Sequence, residues 1–436
     1  MTLAAIAGLY VRGDLNPILC DGACAPQYVT APVGMVAATP APDRPLAAGD
    51  EPVVAADLKA AVRAPLGSPA LGGRSGLVAV DARDGTVLVD EAEGAQIPAS
   101  TTKLLTAVAV LTQWGPNATF TTSVARDGDR LVLVGGGDPY LTQKRAKGSA
   151  VERGDLATLA ARTAKQVGRG PVSLGYDVSL FSGPTASPAW ESDYVGAVVT
   201  PVSPLWIDRG RVGVGRSTDP AGDAARAFAR LLAAEGVDVT GEPREVEASG
   251  ETVARVRSAR LSRIVERFVA DSDNEVAEVL LRQAAIKAGQ PGSFAAGAKV
   301  ARQTLANLGV STSGLVLNDG SGLSRKNRIS ALTLAQTMHR ASSISRLGSV
   351  VSGLPVGGFS GTLENRYVRD GEVRGLVRAK TGTLTGVHAL AGIATLSGGR
   401  PVAFAVMADD TEQVNPFVTQ AALDRVAAAM VECSCR

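Results

Sequence analysis

The segments with the strongest strand character stand at opposite ends of this 436-residue chain. Leu77-Val-Ala-Val-Asp81 and Thr86-Val-Leu-Val-Asp90 flank Arg83-Asp84-Gly85 and read as a β-hairpin with an Asp-Gly turn. Three more strands are expected near 376–382, 387–396 and 401–408. Helical texture lies between: a strongly apolar helix over 97–111, then stretches over 259–288, 293–308 and 330–341. A last helix starts at Asn415, with Pro416 in its first turn. Strands from both chain ends with helices beside each set fit one sheet flanked by helices. That is an α/β fold of the α+β kind.

Residues 116–255 break this texture. Short strands at 119–125 and 130–134, the turn Gly135-Gly-Gly-Asp-Pro139 and helices near 154–167 and 221–235 predict a smaller, β-rich inserted domain. The expected organisation is an N-terminal tail and Pro/Ala-rich linker over 1–54, a main domain in two parts (55–115 and 256–436), and the insert over 116–255. Lys plus Arg total 44 against 42 Asp plus Glu, a net charge of +2. So even a balance gives no basic field for nucleic acid and no polybasic membrane patch. No apolar run reaches the roughly 18 residues of a transmembrane helix.

The four cysteines lie near the chain ends: Cys20 and Cys24, then Cys433 and Cys435. Cys433-Ser-Cys435 has the wrong spacing for a zinc knuckle. We read the two pairs as disulfides joining the N-terminal segment to the C-terminal helix, with free thiols as the alternative. Disulfides place the protein outside the cytoplasm. Leu3-Ala-Ala-Ile-Ala-Gly-Leu-Tyr-Val11 resembles the tail of an apolar export segment without a basic n-region, from which a loose membrane attachment would come.

Three short motifs carry the chemistry. Ser100-Thr-Thr-Lys103 puts a hydroxyl at a helix start and an amine one turn later on the same face. Unsatisfied N–H groups there favour developing negative charge, and a buried lysine with a depressed pKa can act as base. Alone, the motif also describes a serine cap followed by a solvated lysine. Ser272-Asp-Asn274 starts a second apolar helix and by itself is a routine capping sequence. Lys380-Thr381-Gly382-Thr383 lies on an alternating, strand-like segment, where lysine and threonines can hold a carboxylate and glycine admits a close neighbour. Each motif is weak. Their joint occurrence in this order, each on its appropriate element, is the signature of penicillin-binding proteins and class A β-lactamases.

Further stretches narrow this. Gln96-Ile-Pro-Ala-Ser-Thr-Thr-Lys-Leu-Leu105, Gly136-Gly-Asp-Pro-Tyr-Leu141, Val202-Ser-Pro-Leu205, Asp319-Gly-Ser-Gly-Leu-Ser-Arg325 and Arg378-Ala-Lys-Thr-Gly-Thr-Leu384 resemble the class C low-molecular-mass penicillin-binding proteins. These are the D-alanyl-D-alanine carboxypeptidases and endopeptidases. The resemblance runs from about residue 55 to about 430 and implies a penicillin-binding/serine β-lactamase-like transpeptidase fold. It implies Ser100 as nucleophile, Lys103 as its base, Ser272 as proton relay, Asn274 on the substrate amide and Lys380 near the terminal carboxylate. Thr381 and Thr383 donate hydrogen bonds beside Gly382, and the N–H groups of Ser100 and Thr383 form the oxyanion hole. Asp273 is expected to be structural. Arg325, Asp177 and Thr385 are expected to form a pocket for the carboxylate and ammonium on one carbon of a meso-diaminopimelate side chain. Implied partners are peptidoglycan stem peptides, with β-lactams as inhibitors. The place of action is the cell envelope.

No cofactor or metal is expected, since His339 and His388 have no ligand partners in the pattern. His339 is read as structural, and His388 as a weak candidate to line the site. Trp114, Trp190 and Trp206 are read as packing residues. A β-lactamase-type hydrolase is the main alternative, but between Glu278 and Glu364 no glutamate is present to activate a deacylating water. A non-catalytic cell-wall binding protein is the other, and the intact Ser100, Lys103, Ser272, Asn274 and Lys380 argue against it.

Overall fold

A computed structural model describes residues 52–145, 154–168, 170–213, 215–368, 370–411 and 415–435. Helix α1 (Ala55–Leu66) precedes the hairpin β1 (Ser75–Asp81) and β2 (Val87–Glu91); the short β3 (Ala95–Gln96) leads to α2 (Thr102–Trp114). Next come β4 (Thr121–Asp127), β5 (Arg130–Val134), α3 (Leu156–Val167), β6 (Pro171–Asp177), β7 (Arg211–Val212), β8 (Gly215–Arg216), α4 (Pro220–Ala234), β9 (Asp238–Glu245) and β10 (Glu251–Arg257). The remainder holds α5 (Leu261–Asp271), α6 (Asn274–Lys287), α7 (Phe294–Asn307), β11 (Ile329–Ser330), α8 (Ala331–Ser343) and α9 (Gly348–Ser352). It closes with β12 (Val377–Leu384), β13 (Val387–Thr395), β14 (Pro401–Ala408) and α10 (Pro416–Glu432).

The main sheet is antiparallel in the order β12-β13-β14-β1-β2, so it is assembled from both chain ends. The join pairs β1 with β14, Val78 opposite Ala405. Strands β13 and β14 are buried almost throughout because both sheet faces are covered. Ala389, Ala391, Ala405 and Met407 pack one face against Leu104 and Val108 of α2 and Leu334 and Met338 of α8. Leu390, Phe404 and Val406 pack the other face against Leu58 and Val62 of α1 and Leu423 and Val426 of α10. Asn415 caps α10 by accepting from the Phe417 N–H, with Pro416 at its first position.

A second sheet, β10-β4-β5-β6-β9, occupies the middle of the chain. It is mixed: β5, β6 and β9 run parallel, and β4 and β10 antiparallel. Leu131, Leu133 and Leu174 pack against Leu156 and Leu159 of α3 and Phe228 and Leu232 of α4. The parallel pairs follow from those helices, since a parallel neighbour needs a crossover. These two helices are the ones expected near 154–167 and 221–235, set among seven strands.

One expectation is corrected. Cys433 and Cys435 are bonded to each other, so they do not join the chain's two ends. The chain turns after α10, with Cys435 at φ 30°, and the two Cα atoms are 5.2 Å apart, within normal bridging range. Cys20, Cys24, the 3–11 segment and nearly all of the 1–54 tail lie outside the described residues. The serine-cap alternative does not hold: Ser100 is not the cap of α2. It sits in a one-turn 3₁₀ segment, Ala99–Thr101, that feeds the helix. Among the described residues no helix is long and apolar enough to cross a membrane.

Candidate active site

Ala99, immediately before Ser100, has φ 46°, a left-handed conformation unfavourable for a residue with a Cβ. Packing holds it there: Ala99 is fully buried, and the Pro98 carbonyl accepts bonds from both the N–H and the hydroxyl of Thr101. The resulting turn leaves Ser100 half-buried, with Lys103 one turn below it. Lys103 is fully buried on a strongly apolar helix. Its Nζ donates to Ser100 Oγ at 3.0 Å, Asn274 Oδ1 at 2.8 Å and the Ser321 carbonyl at 2.8 Å. Burial lowers its pKa to about 8, against the opposing charges of Glu278 and Asp319. A neutral amine is therefore within reach near neutral pH, and it points at a hydroxyl.

The Ser272-Asp-Asn motif is a break between two helices. Ser272 ends α5 at φ 56°, and Asp273 caps α6 by accepting from the Val276 N–H at 3.3 Å. Asp273 also pairs with Arg209. This is the structural role expected of it. The break turns Asn274, the first residue of α6, toward Lys103, and leaves Ser272 half-buried at the helix junction.

One turn along α6 is Glu278, which the sequence reading did not single out. It is fully buried, and its two oxygens accept from the Gly320 and Ser321 N–H groups at 2.8 Å each. Burial and the Asp319 charge raise its pKa to about 8. Asp319 is also buried and accepts from the Gly322 and Ser324 N–H groups, Asn327 Nδ2 and Trp190 Nε1. These bonds fold Asp319-Gly-Ser-Gly-Leu-Ser324 into the turn whose Ser321 carbonyl meets Lys103. Gly322, at φ 85°, lies so close to the Ala99 carbonyl that a Cβ would collide with it. The spacing Asn274 to Glu278, one helical turn on a face already committed to Lys103, was the available signal.

Strand β12 forms the opposite wall. Lys380 is fully buried, its Nζ donates to the Thr381 carbonyl at 2.8 Å, and burial and the Lys103 charge hold its pKa well below the usual lysine range. A Cβ on Gly382 would lie 2.6 Å from the Pro98 carbonyl, so a side chain there would push β12 off the Ser100 turn. β12 is an edge strand, paired on one side only with β13. The Ala379 N–H points outward, to the Pro355 carbonyl at 3.0 Å. By strand alternation the N–H groups of Thr381 and Thr383 point out of the same edge, toward open space beyond that segment. Thr381 Oγ1 bonds Thr362 Oγ1 at 2.9 Å.

The structure thus gathers Ser100, Lys103, Asn274 and Lys380 around one point, with Ser272 at its side and Thr381–Thr383 along its edge. Arg325 and Thr385 come together at the C-terminal end of β12, where Arg325 donates to the Thr385 carbonyl at 2.9 Å. Asp177 does not join them. Its carboxylate accepts from the Ser179 and Ala248 N–H groups at 2.7 and 2.8 Å. It lines a cavity beside Trp114, at the far end of α2 and about 20 Å of helix from the Ser100 turn. The loop carrying Glu191, Asp193 and Tyr194 is near Arg325 instead: burial and the Glu191 charge push the Tyr194 hydroxyl up, and Arg325 opposes them. Ser187 and Ser324 hydroxyls tie that loop to the Asp319 turn. Trp190 therefore does more than pack. His339 is structural, its Nδ1 at 3.1 Å from the Ala82 carbonyl. His388 is buried opposite Thr383 with no bond to the residues around Ser100.

Comparison with known proteins accords with this geometry. A model of the D-Ala-D-Ala carboxypeptidase 3 (S13) family matches residues 58–216 and 214–430. Carboxypeptidase DacB of Mycolicibacterium smegmatis is 36% identical over 432 residues, covering 92% of this chain and 91% of its own length. D-alanyl-D-alanine carboxypeptidase of an Actinomadura species is 30% identical over 455 residues, covering 84% of each chain. The crystal structure of penicillin binding protein 4 from Haemophilus influenzae shares the fold, with a TM-score of 0.71 at 22% identity over 86% of this chain and 98% of that one. Most of the chain therefore belongs, by sequence and by fold, to the D-Ala-D-Ala carboxypeptidase 3 (S13) family, and the protein is a serine-type D-alanyl-D-alanine carboxypeptidase of the class C low-molecular-mass penicillin-binding group.

Proposed function

We propose that Ser100 is the nucleophile that opens the terminal D-Ala-D-Ala bond of a peptidoglycan stem peptide, with Lys103 as its base. The observation that carries this is the Lys103 amine: fully buried, with its pKa lowered to about 8 and 3.0 Å from Ser100 Oγ. Attack on the penultimate D-alanine carbonyl forms an ester at Ser100, and the departing D-alanine amine takes a proton through Ser272. Water then hydrolyses the ester. Developing negative charge on the carbonyl oxygen would be met by the N–H groups of Ser100 and Thr383, and the direction of the Thr383 N–H out of the β12 edge supports that role. The terminal carboxylate would lie against Lys380, Thr381 and Thr383, with Asn274 on the substrate amide. A β-lactam offers the same reactive carbonyl and carboxylate. It should acylate Ser100 and stall, because Glu278, the nearby buried acid, is occupied by two N–H groups. Release of D-alanine from a D-Ala-D-Ala pentapeptide tests the reading: it should vanish in Ser100→Ala, and activity surviving in that variant would overturn the assignment.

The same reading extends to the side chain of the third stem residue. Arg325 and Thr385 stand where an incoming peptide would enter along β12, and Glu191 and Asp193 provide the carboxylates that Asp177 was expected to supply. A guanidinium and a carboxylate suit the carboxylate and ammonium of a meso-diaminopimelate end. A pentapeptide with that free end should turn over faster than one with an acetylated lysine; equal turnover would remove this pocket. Such substrates place the enzyme's work in the cell envelope.

A further inference from the structure

A cavity of about 1170 Å³ runs beside α5. Its walls are α5, the 352–360 segment and the end of β10, and Arg257, Arg260, Arg263 and Arg267 line it against a single carboxylate, Glu266. Arg260, Arg263 and Arg267 recur at three- and four-residue spacing, so they share one helix face over about 10 Å. Arg263 pairs with Glu266 and Arg267 with Asp271, while Arg257 and Arg260 make no ion pair among the described residues. The chain as a whole is nearly neutral, so this is a local excess of positive charge. It is unlike the site itself, where both lysines are buried.

Its position matters more than its charge. Ala270, in the wall, is two residues before Ser272. Val356, also in the wall, bridges to Arg378 in the first half of β12, and Thr362, just beyond the wall residue Ser360, bonds Thr381. The groove therefore meets the site at the N-terminal half of β12, while Arg325 and Thr385 stand at its C-terminal end. In the pose given under Proposed function, on which this inference rests, the residue that departs faces the N-terminal half. A single departing D-alanine ends at Lys380 and Thr381 and reaches no arginine.

We propose that this groove is a binding site for the departing strand of a cross-linked wall peptide, a chain carrying several free carboxylates. On that substrate the reaction is the endopeptidase cleavage that the family resemblance implies, and the groove supplies the binding site on its departing side. The bond broken joins the D-alanine carbonyl to the side-chain amine of a neighbouring stem. The acyl group forms an ester with Ser100 Oγ, the departing amine takes the proton Ser100 gave up, and water hydrolyses the ester. The arginines take no part in these steps. They hold the departing stem's carboxylates, in contacts that salt would screen.

The test compares two substrates in the full-length enzyme: a D-Ala-D-Ala pentapeptide and a cross-linked dimer of tetrapeptides. In Arg260→Glu with Arg263→Glu, kcat/KM for the dimer should fall about 10- to 100-fold, by loss and reversal of charge contacts. Pentapeptide hydrolysis should stay within about twofold. Arg260→Lys with Arg263→Lys should restore most of the dimer activity, and added salt should slow the wild type on the dimer more than the double glutamate variant. Equal loss on both substrates, or an unchanged dimer rate, overturns the proposal. Binding of the stem tetrapeptide to Ser100→Ala, measured by calorimetry, separates this from the catalytic reading. Binding that weakens when Arg260→Glu and Arg263→Glu are added supports the groove even if neither substrate is cleaved; binding indifferent to those changes overturns it.

Discussion

The centre of the site and its rim hold charge in opposite ways. Lys103, Lys380, Glu278 and Asp319 are all fully buried, and Lys103 and Glu278 both carry pKa values moved to about 8. Arg260, Arg263 and Arg325 lie at the surface or only partly covered. At Lys103 burial turns charge into a chemical function, because the charged form is costly and a neutral base becomes accessible. The rim charges can only attract or orient. Substitutions at the centre should therefore change rate and pH dependence, while those at the rim should change preference among substrates.

The largest effect is expected at Lys103. Without its amine, Ser100 would have no base on the proposed mechanism, and acylation by penicillin should fall about 10²- to 10⁴-fold, measured by stopped-flow or quench. In the wild type that rate should rise with pH toward about 8, since only about a tenth of the amine is neutral one unit lower. A rate independent of pH from 6 to 8 would break the contrast between centre and rim.

Glu278→Gln comes next. Glu278 and Lys103 titrate in the same range, near 8. The ionised Glu278 is the largest influence raising the Lys103 pKa, so removing it lets that pKa fall further as Glu278 would ionise. The rising limb of the acylation profile should move to lower pH. The amide can accept only one of the two N–H bonds from Gly320 and Ser321, so thermal stability should also drop by about 1–3 kcal/mol, read from the unfolding midpoint. A profile shifted to higher pH would show that Glu278 does not act on Lys103.

At the rim, Arg325→Ala should lower the preference for a free meso-diaminopimelate end by about tenfold while leaving penicillin acylation unchanged. The smallest effect belongs to Asp177→Asn. Its carboxylate caps Ser179 and Ala248 N–H groups away from Ser100, so the variant should lose about 1 kcal/mol of stability and keep the wild-type substrate preference. A lost preference in Asp177→Asn would restore the original pocket assignment.

These contrasts follow what was legible in the sequence. The main sheet was readable because its strands are apolar runs bounded by turns, and the sheet joins the two chain ends as expected. The three motifs were readable because helix starts and strand edges have local signatures, and each motif sits on the expected kind of element. Glu278 was not readable, because a glutamate one turn into an apolar helix has the same local pattern whether it is solvated or buried. Asp177 misled because an aspartate after a strand also caps turns, and only tertiary placement shows which N–H groups it meets. The end-to-end disulfides failed for a similar reason: sequence gives cysteine spacing, whereas the turn after α10 decides that Cys433 meets Cys435.

The central claim, that Ser100 is the acylated residue and Lys103 its base, is tested most directly by intact-protein mass after brief exposure to penicillin. The account predicts one adduct per chain, mapped by peptide digestion to the segment containing Ser100, absent in Ser100→Ala and strongly delayed in Lys103→Ala. An adduct of the same mass that persists in Ser100→Ala, or forms at the wild-type rate in Lys103→Ala, would contradict it.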